Sequence, residues 1–403
     1  MCVTQINTIP CTGIKTNARA ELSVAANGKL GICTAEVSRL QYNHITENWI
    51  ASFIASFIAS FLSSYGFVHI QGVNKMQPTI SILIPTHNSE AYIRRCLNSA
   101  LGQTYKCFNI FVADDGSTDD TLAIIKEYAS IYSNISYKAF AHAGLSITRN
   151  RLISYSTGEY FFFLDSDDFI IPETLQVLSD AAATYSAEIV QCEMERTNQD
   201  AIQDLSDKGF CFYTREEALR AYNRTPDGPR VMTAGKLYKR EVFNGIRFPQ
   251  SRLIHEDDYI AFLIYNQCTN FVIVRRKMYG YFINQNSIML KPFSLKRYDG
   301  LGALQASIEF FKSVGLTEQV YRIQFRLLTY IRFLYIETAL GLPDEKKRLD
   351  MLMSLYKQIL PEVLSNIPLP DETHSNFKLW PIEPFETESL NYWEYVESGV
   401  LPA

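Results

Sequence analysis

Gly158-Glu-Tyr-Phe-Phe-Phe-Leu-Asp-Ser-Asp-Asp-Phe-Ile-Ile-Pro172 sets an unbroken apolar run directly in front of three carboxylates. A run such as Tyr160 to Leu164 packs on both faces only inside a sheet covered on both sides, which predicts a central parallel strand. Asp165, Asp167 and Asp168 then fall at the carboxyl end of that strand, where open α/β sheets bind their ligands. Three acids crowded there need a cation to hold them together, so the stretch predicts a divalent-metal site for a phosphorylated ligand.

The chain on either side predicts the rest of such a sheet. Ile80 to Ile84, Phe108 to Ala113, Ile135 to Phe140, Glu188 to Cys192 and Phe271 to Val274 read as strands. Helical spacing recurs after Ile93, over Leu122 to Ala129, over Leu145 to Tyr155 and from Leu175 to Ala182. Ser117 and Asp120 stand at capping-box spacing before the second of these helices. Strand and helix alternate, which predicts right-handed βαβ crossovers and a mostly parallel sheet flanked by helices. Residues 196–230 are polar and turn-rich and read as an insertion or lid-like loop. Beyond Lys291 the chain reads helical, over Gln319 to Leu340 and Glu345 to Leu360, and ends in a tail from Leu364 with seven acids against one lysine.

These patterns divide the 403 residues into an N-terminal extension (1–75), an α/β domain (76–290) and a helical C-terminal region (291–403). The extension repeats Ala-Ser-Phe with a four-residue period from Ala51 to Leu62, and no charge occurs from Ile50 to Val73. Length alone allows a membrane span, but five serines make it a poor one. A packed or membrane-surface helix and a low-complexity extension stay open beside it. The net charge of −5 argues against a general nucleic-acid binder, whose affinity would rest on a basic surface. Eight cysteines without a CxxC pair read as free thiols and predict neither a disulfide frame nor a zinc site. With no signal peptide at the start, they point to the cytosol.

Polar clusters follow three of the strands: Thr86 to Glu90, Asp114 to Asp120 and Asp165 to Asp168. Parallel strands align their carboxyl ends, so the clusters should converge on one edge. Ile82-Leu-Ile-Pro-Thr-His-Asn-Ser-Glu-Ala-Tyr92, Val112-Ala-Asp-Asp-Gly-Ser-Thr-Asp119, Gly144-Leu-Ser-Ile-Thr-Arg-Asn150 and Phe163-Leu-Asp-Ser-Asp-Asp168 together resemble the family 2 glycosyltransferases, in that family's order and spacing.

The resemblance, over about residues 78–190, implies a GT-A type nucleotide-sugar fold. It also implies an inverting transferase that moves a hexose from a nucleotide-diphosphate donor, a UDP-sugar, to a hydroxyl acceptor, with Mn or Mg. It places Thr86, Asn88, Glu90 and Asp115 near the base and ribose, Arg149 near the diphosphate, and Asp165 and Asp167 as the DxD pair, with Asp167 the metal ligand of choice. Glu256-Asp257 matches the family's late acidic pair at a predicted helix start. Asp257 is then the general base, with Glu256 as alternative base or acceptor-orienting group. Ile147-Thr148 departs from the small residues usual before Arg-Asn. The same likeness implies a glycan or lipid-linked acceptor and polysaccharide assembly at the inner face of the membrane, through peripheral contact. Lys236 is a candidate phosphate partner, and His255 a group beside the metal or the acids.

Other chemistries fit less well. A dehalogenase-type phosphatase expects a small residue where Phe169 stands. A calcium loop needs glycine and glutamate where the chain has Ile170 and Gln176. The reading from a different class is a non-catalytic carbohydrate-binding or scaffold protein that keeps the fold.

Overall fold

The computed structural model describes residues 19–24, 30–36, 78–222, 228–250, 254–283, 293–342, 344–382 and 384. The chain divides into two compact units, Met1–Lys75 and Met76–Ala403. In the first, β1 (Arg19–Val24) pairs antiparallel with β2 (Leu30–Glu36), with a register shift between Glu21 and Leu22. The Ala-Ser-Phe repeat lies outside the described residues. Among those described, no helix is long and apolar enough to cross a membrane.

The second unit opens with three parallel strands, β3 (Ile80–Thr86), β4 (Phe108–Asp114) and β5 (Ile135–Ala139). They are linked by helices α1 (Ile93–Leu101) and α2 (Thr121–Ile131). Helix α3 (Leu145–Tyr155) returns the chain to β6 (Tyr160–Phe163), parallel to β3 on its other side. After β6 come β7 (Phe169–Ile170), α4 (Thr174–Tyr185), β8 (Ile189–Thr197), β9 (Phe210–Thr214) and α5 (Arg215–Arg220). Then follow β10 (Lys236–Lys239), α6 (Glu256–Gln267) and the long β11 (Asn270–Phe282). The strand order is β5-β4-β3-β6-β10-β8-β11-β7, with β9 on β11.

The half of the sheet that carries the sequence motifs is parallel, as expected. β10 runs antiparallel between β6 and β8 and joins it to a mixed half. β6 is the hinge of this plan. Phe161 and Phe163 face one core and Phe162 and Leu164 the other, all fully buried. Burying each phenylalanine contributes about 1.5–3 kcal/mol, which fixes both the position and the register of the strand. Gly158 admits β6 to its place: its N–H donates to Ser81 Oγ at 2.8 Å, and a Cβ would lie 2.6 Å from Ser81 N.

Two sequence expectations are corrected. Residues 196–230 are not a loop throughout, because β9 and α5 lie within them and Thr214 and Glu217 form a capping box at the start of α5. The box expected at Ser117 and Asp120 is not made. Glu90 Oε2 accepts the Asp120 N–H at 2.9 Å and Asp119 Oδ1 accepts the Thr121 N–H at 3.0 Å, while Ser117 Oγ donates to Asp114 Oδ1. A carboxylate from the neighbouring loop therefore caps α2, a partner that local spacing cannot reveal.

The C-terminal helices α7 (Asp299–Ser313), α8 (Thr317–Gly341), α9 (Lys346–Asn366) and α10 (Asp371–Leu379) extend the core on the Phe161–Phe163 face.

Candidate active site

Arg149, on α3, lies 2% exposed beneath the ends of β6 and α6. Its Nη1 donates to Glu256 Oε1 at 2.7 Å and to Asp257 Oδ1 at 3.0 Å, and its Nη2 donates to Asp165 Oδ1 at 3.0 Å. One guanidinium thus gathers the first acid of the DxD motif and both late acids, the late pair lying 107 and 108 residues beyond the arginine in sequence. Burial opposes its charge, but Asp257, Asp165 and Glu256 outweigh burial and hold the guanidinium above its ordinary value.

Three acids share one cation, so they are not equally satisfied. Glu256 is the more buried of the late pair, and desolvation, with Asp257 beside it, raises its carboxyl to about 7 against the pull of Arg149. Asp257 has further partners: Thr233 Oγ1 donates to its Oδ1 at 2.5 Å and the Thr233 N–H to its Oδ2 at 3.1 Å. Thr233 sits in a stretch without periodicity, so the sequence carried no signal for it.

The three DxD-loop acids do not act together as expected. Asp168 is buried, accepting from the Tyr279 hydroxyl at 2.6 Å and the Phe282 N–H at 2.8 Å. Burial pushes its carboxyl well above the usual range. It fastens the loop to β11, with one oxygen engaged by each of these donors. Asp165 and Asp167 stay half-buried. Arg95 steadies the loop by donating to the Asp167 main-chain carbonyl at 2.5 Å, with its guanidinium 3.8 Å from the Phe282 ring centroid. Ser89 Oγ lies 2.7 Å from Ser166 Oγ, which ties the first motif to this loop. Two carboxylates at an open strand end are hard oxygen donors, a set that suits Mg or Mn when phosphate oxygens complete the shell.

The remaining motif residues line the ends of β3 and β4. Thr86 is buried, its hydroxyl 3.4 Å from Asp114 Oδ1. Asn88, at φ 50°, accepts the Thr118 N–H at 2.8 Å, and Glu90 caps α2. Asp115 Oδ1 and Oδ2 accept the Ala143 and Gly144 N–H groups at 2.9 and 2.7 Å. Gly116, at φ +72°, allows this approach, since a Cβ there would stand 2.8 Å from His142 N.

Two further candidates, Lys236 and His255, are held inside the fold. Lys236 is 1% exposed and donates to the Met232 carbonyl; burial lowers it to about 7. His255, in the left-handed region at φ 61°, bonds Asp258 Oδ2 at 3.1 Å and Tyr330 Oη at 3.0 Å. It braces the start of α6.

Residues 81–247 match the family model described as Glycosyl transferase family 2. These residues form a family 2 glycosyltransferase domain. Glycosyltransferase GlyA of Streptococcus pneumoniae serotype 4 is 27% identical over 270 residues, covering 65% of this chain and 38% of that protein. The chain therefore spans about two fifths of that relative's length. Glycosyltransferase GlyG of the same organism is 26% identical over 266 residues, 62% of this chain and 86% of that protein. Among solved structures, S. aureus TarS 1-349 in complex with UDP-GlcNAc aligns with a TM-score of 0.56 at 18% identity. It covers 80% of this chain and 91% of that one. At that identity the likeness establishes the fold, a GT-A type α/β architecture, and the glycosyltransferase domain lies within it.

Proposed function

We propose that the chain is an inverting glycosyltransferase. It moves a sugar from a nucleoside-diphosphate donor, a UDP-sugar, to a hydroxyl of a glycan or lipid-linked acceptor. The observation that carries this reading is the Arg149 cluster, which unites Asp165 of the family 2 domain with Glu256 and Asp257 just beyond its matched residues. The UDP-GlcNAc bound by TarS supports a uridine donor.

In this reading Asp257 takes the proton from the acceptor hydroxyl as that oxygen attacks the anomeric carbon, and the diphosphate departs from the opposite face. Thr233 and Arg149 hold the Asp257 carboxylate in place, and Glu256 orients the acceptor. Thr86, Asn88, Glu90 and Asp115 surround the base and ribose, and Arg149 and Asp165 lie on the diphosphate side. A divalent cation, Mn or Mg, held by Asp167 and Asp165 supplies charge neutralisation to the leaving diphosphate when bound. The acceptor implies work at the inner face of a membrane through peripheral contact.

The test is UDP release from a panel of UDP-sugars with Mn, for wild type and Asp257→Asn. Turnover by wild type and its loss in the variant are expected. Consumption of no donor by either protein would overturn the enzyme reading in favour of a non-catalytic sugar-binding one.

A further inference from the structure

Arg95, on α1, joins segments that the sequence keeps far apart. Its Nη2 donates to the Asp167 main-chain carbonyl and its Nη1 to Asp200 Oδ1, each at 2.5 Å. The guanidinium carbon stands 3.8 Å from the Phe282 ring centroid and 5.3 Å from that of Phe169, so two rings limit where the fork can turn. A guanidinium is a rigid planar fork, and fixing one arm fixes the direction of the other. Asp200 on one arm therefore sets how the other meets the Asp167 peptide.

That peptide lies at a corner. The Asp168 N–H closes a turn on the Asp165 carbonyl at 3.0 Å, with Ser166 and Asp167 as its two central residues. Asp165 is held through its side chain by Arg149 and Asp168 by Tyr279, whereas Arg95 grips Asp167 by its main chain and leaves the direction of its carboxylate to the peptide plane. Asp200 comes from the β8–β9 connection, residues 198–209, which is itself folded: Glu195 Oε1 accepts the Gln203 N–H at 2.9 Å, and Lys277 Nζ pairs with Glu195 Oε2 at 3.2 Å and with Asp204 Oδ2 at 3.4 Å. We propose that Arg95 is a positioning residue for the Asp167 end of the cation site, and that the β8–β9 connection, through Asp200, tunes how tightly that site holds its ion. The inference rests on the reading of Asp165 and Asp167 as cation ligands. Arg95, a cation itself, acts through the Asp167 peptide and not on the ion.

Removing a partner that orients a metal ligand weakens binding by about 10- to 100-fold, and Arg95 acts through the main chain, so Arg95→Met should lie near about 10-fold. The Asp200 side chain is 79% exposed, and its ion pair is open to screening. Asp200→Asn should weaken the site by about two- to threefold at low salt and by less at about 0.5 M salt. Free Mn²⁺ is followed by electron paramagnetic resonance as it is titrated into the full chain with UDP present, for wild type, Arg95→Met, Arg95→Lys, Asp200→Asn and Asp167→Ala. Arg95→Lys, which keeps a donor but no fork, should fall between wild type and Arg95→Met. In turnover, half-saturating Mn²⁺ should rise in parallel while kcat at saturating Mn²⁺ stays within about twofold of wild type, a split that lost packing alone would not produce. Equal Mn²⁺ binding by Asp167→Ala and wild type would remove the cation reading and this inference with it. Loss of the ion in Asp167→Ala together with wild-type affinity in folded Arg95→Met would overturn the inference alone. If Arg95→Met does not fold, the exposed Asp200→Asn decides, and unchanged affinity at low salt overturns the proposal.

Discussion

Glu256 and Asp258, two residues apart on one helix, are driven in opposite directions by what they face. Asp258 pays for burial, yet Arg326 and His255 together hold it down to about 2, whereas Glu256 shares a single guanidinium with two other acids and rises to about 7. Between about 4.5, where an unfolded glutamate titrates, and 7, the folded chain keeps a proton on Glu256 that the unfolded chain has lost. The unfolding free energy therefore falls as pH rises through that window, and the contribution of this group is complete only below it. Relative to Glu256→Gln, which stays neutral, wild type should lose melting temperature between those pH values; a constant offset would mean that Glu256 stays charged throughout. At Asp257 the expected effect is on rate. Asp257→Asn keeps the shape of the side chain but removes the base, so kcat should drop by about 10²- to 10⁴-fold while donor affinity, measured by calorimetry, changes little. Asp257 and Glu256 were legible in the sequence only through the resemblance to the family's late acidic pair, since two adjacent acids opening a periodic helix are ordinary by themselves. The Thr233 and Arg149 contacts were not, since they join residues that only the folded sheet brings near.

At the scale of elements, the acidic end of α6 is held from outside the parallel sheet. Arg326 on α8 donates to Asp258 Oδ1 at 2.9 Å, and Tyr330, one turn further along, bonds His255 and donates to the Arg297 carbonyl at 2.6 Å. Arg326→Met leaves Asp258 buried without its main counter-charge. Removing one partner of a buried pair costs about 3–5 kcal/mol, and Arg326 is partly exposed, so the loss should fall at the lower end of that range. A double-mutant cycle with Asp258→Asn, read by urea denaturation, should give a coupling of about 0.5–3 kcal/mol; additive effects would show that the pair is not coupled. The strands differed in how far they could be read. β3, β4 and β6 announce themselves by apolar runs. β10, four residues with a lysine at each end, has no such run, because its identity comes from being sandwiched between β6 and β8. β9 alternates, but it lies in a stretch whose polar flanks dominate the pattern.

On the scale of the whole molecule, one hydrophobic cluster runs from the sheet into the C-terminal helices and crosses the point near residue 290 where the sequence changes character. Phe311 packs on Tyr222, with ring centroids 5.4 Å apart, and Phe310 on Phe262 at 4.9 Å. Trp380 and Phe377 close the far side around Tyr356. The helices are readable from their period but this continuity is not, because periodicity shows that a face is buried and not what covers it. A chain ended at residue 290 uncovers Tyr222, Phe262 and the outer face of α6, each a side chain whose burial contributes about 1.5–3 kcal/mol, a large share of ordinary domain stability. Such a truncation should lose its cooperative thermal transition and bind a hydrophobic dye, since its secondary structure remains without fixed packing. The reference for this comparison is a chain started at Met76, which leaves out the other compact unit. If the 76–290 fragment instead melted cooperatively at the midpoint of the 76–403 chain, the C-terminal helices would be an appendage, and the brace from Arg326 and Tyr330 to α6 would carry no weight in holding the acidic pair.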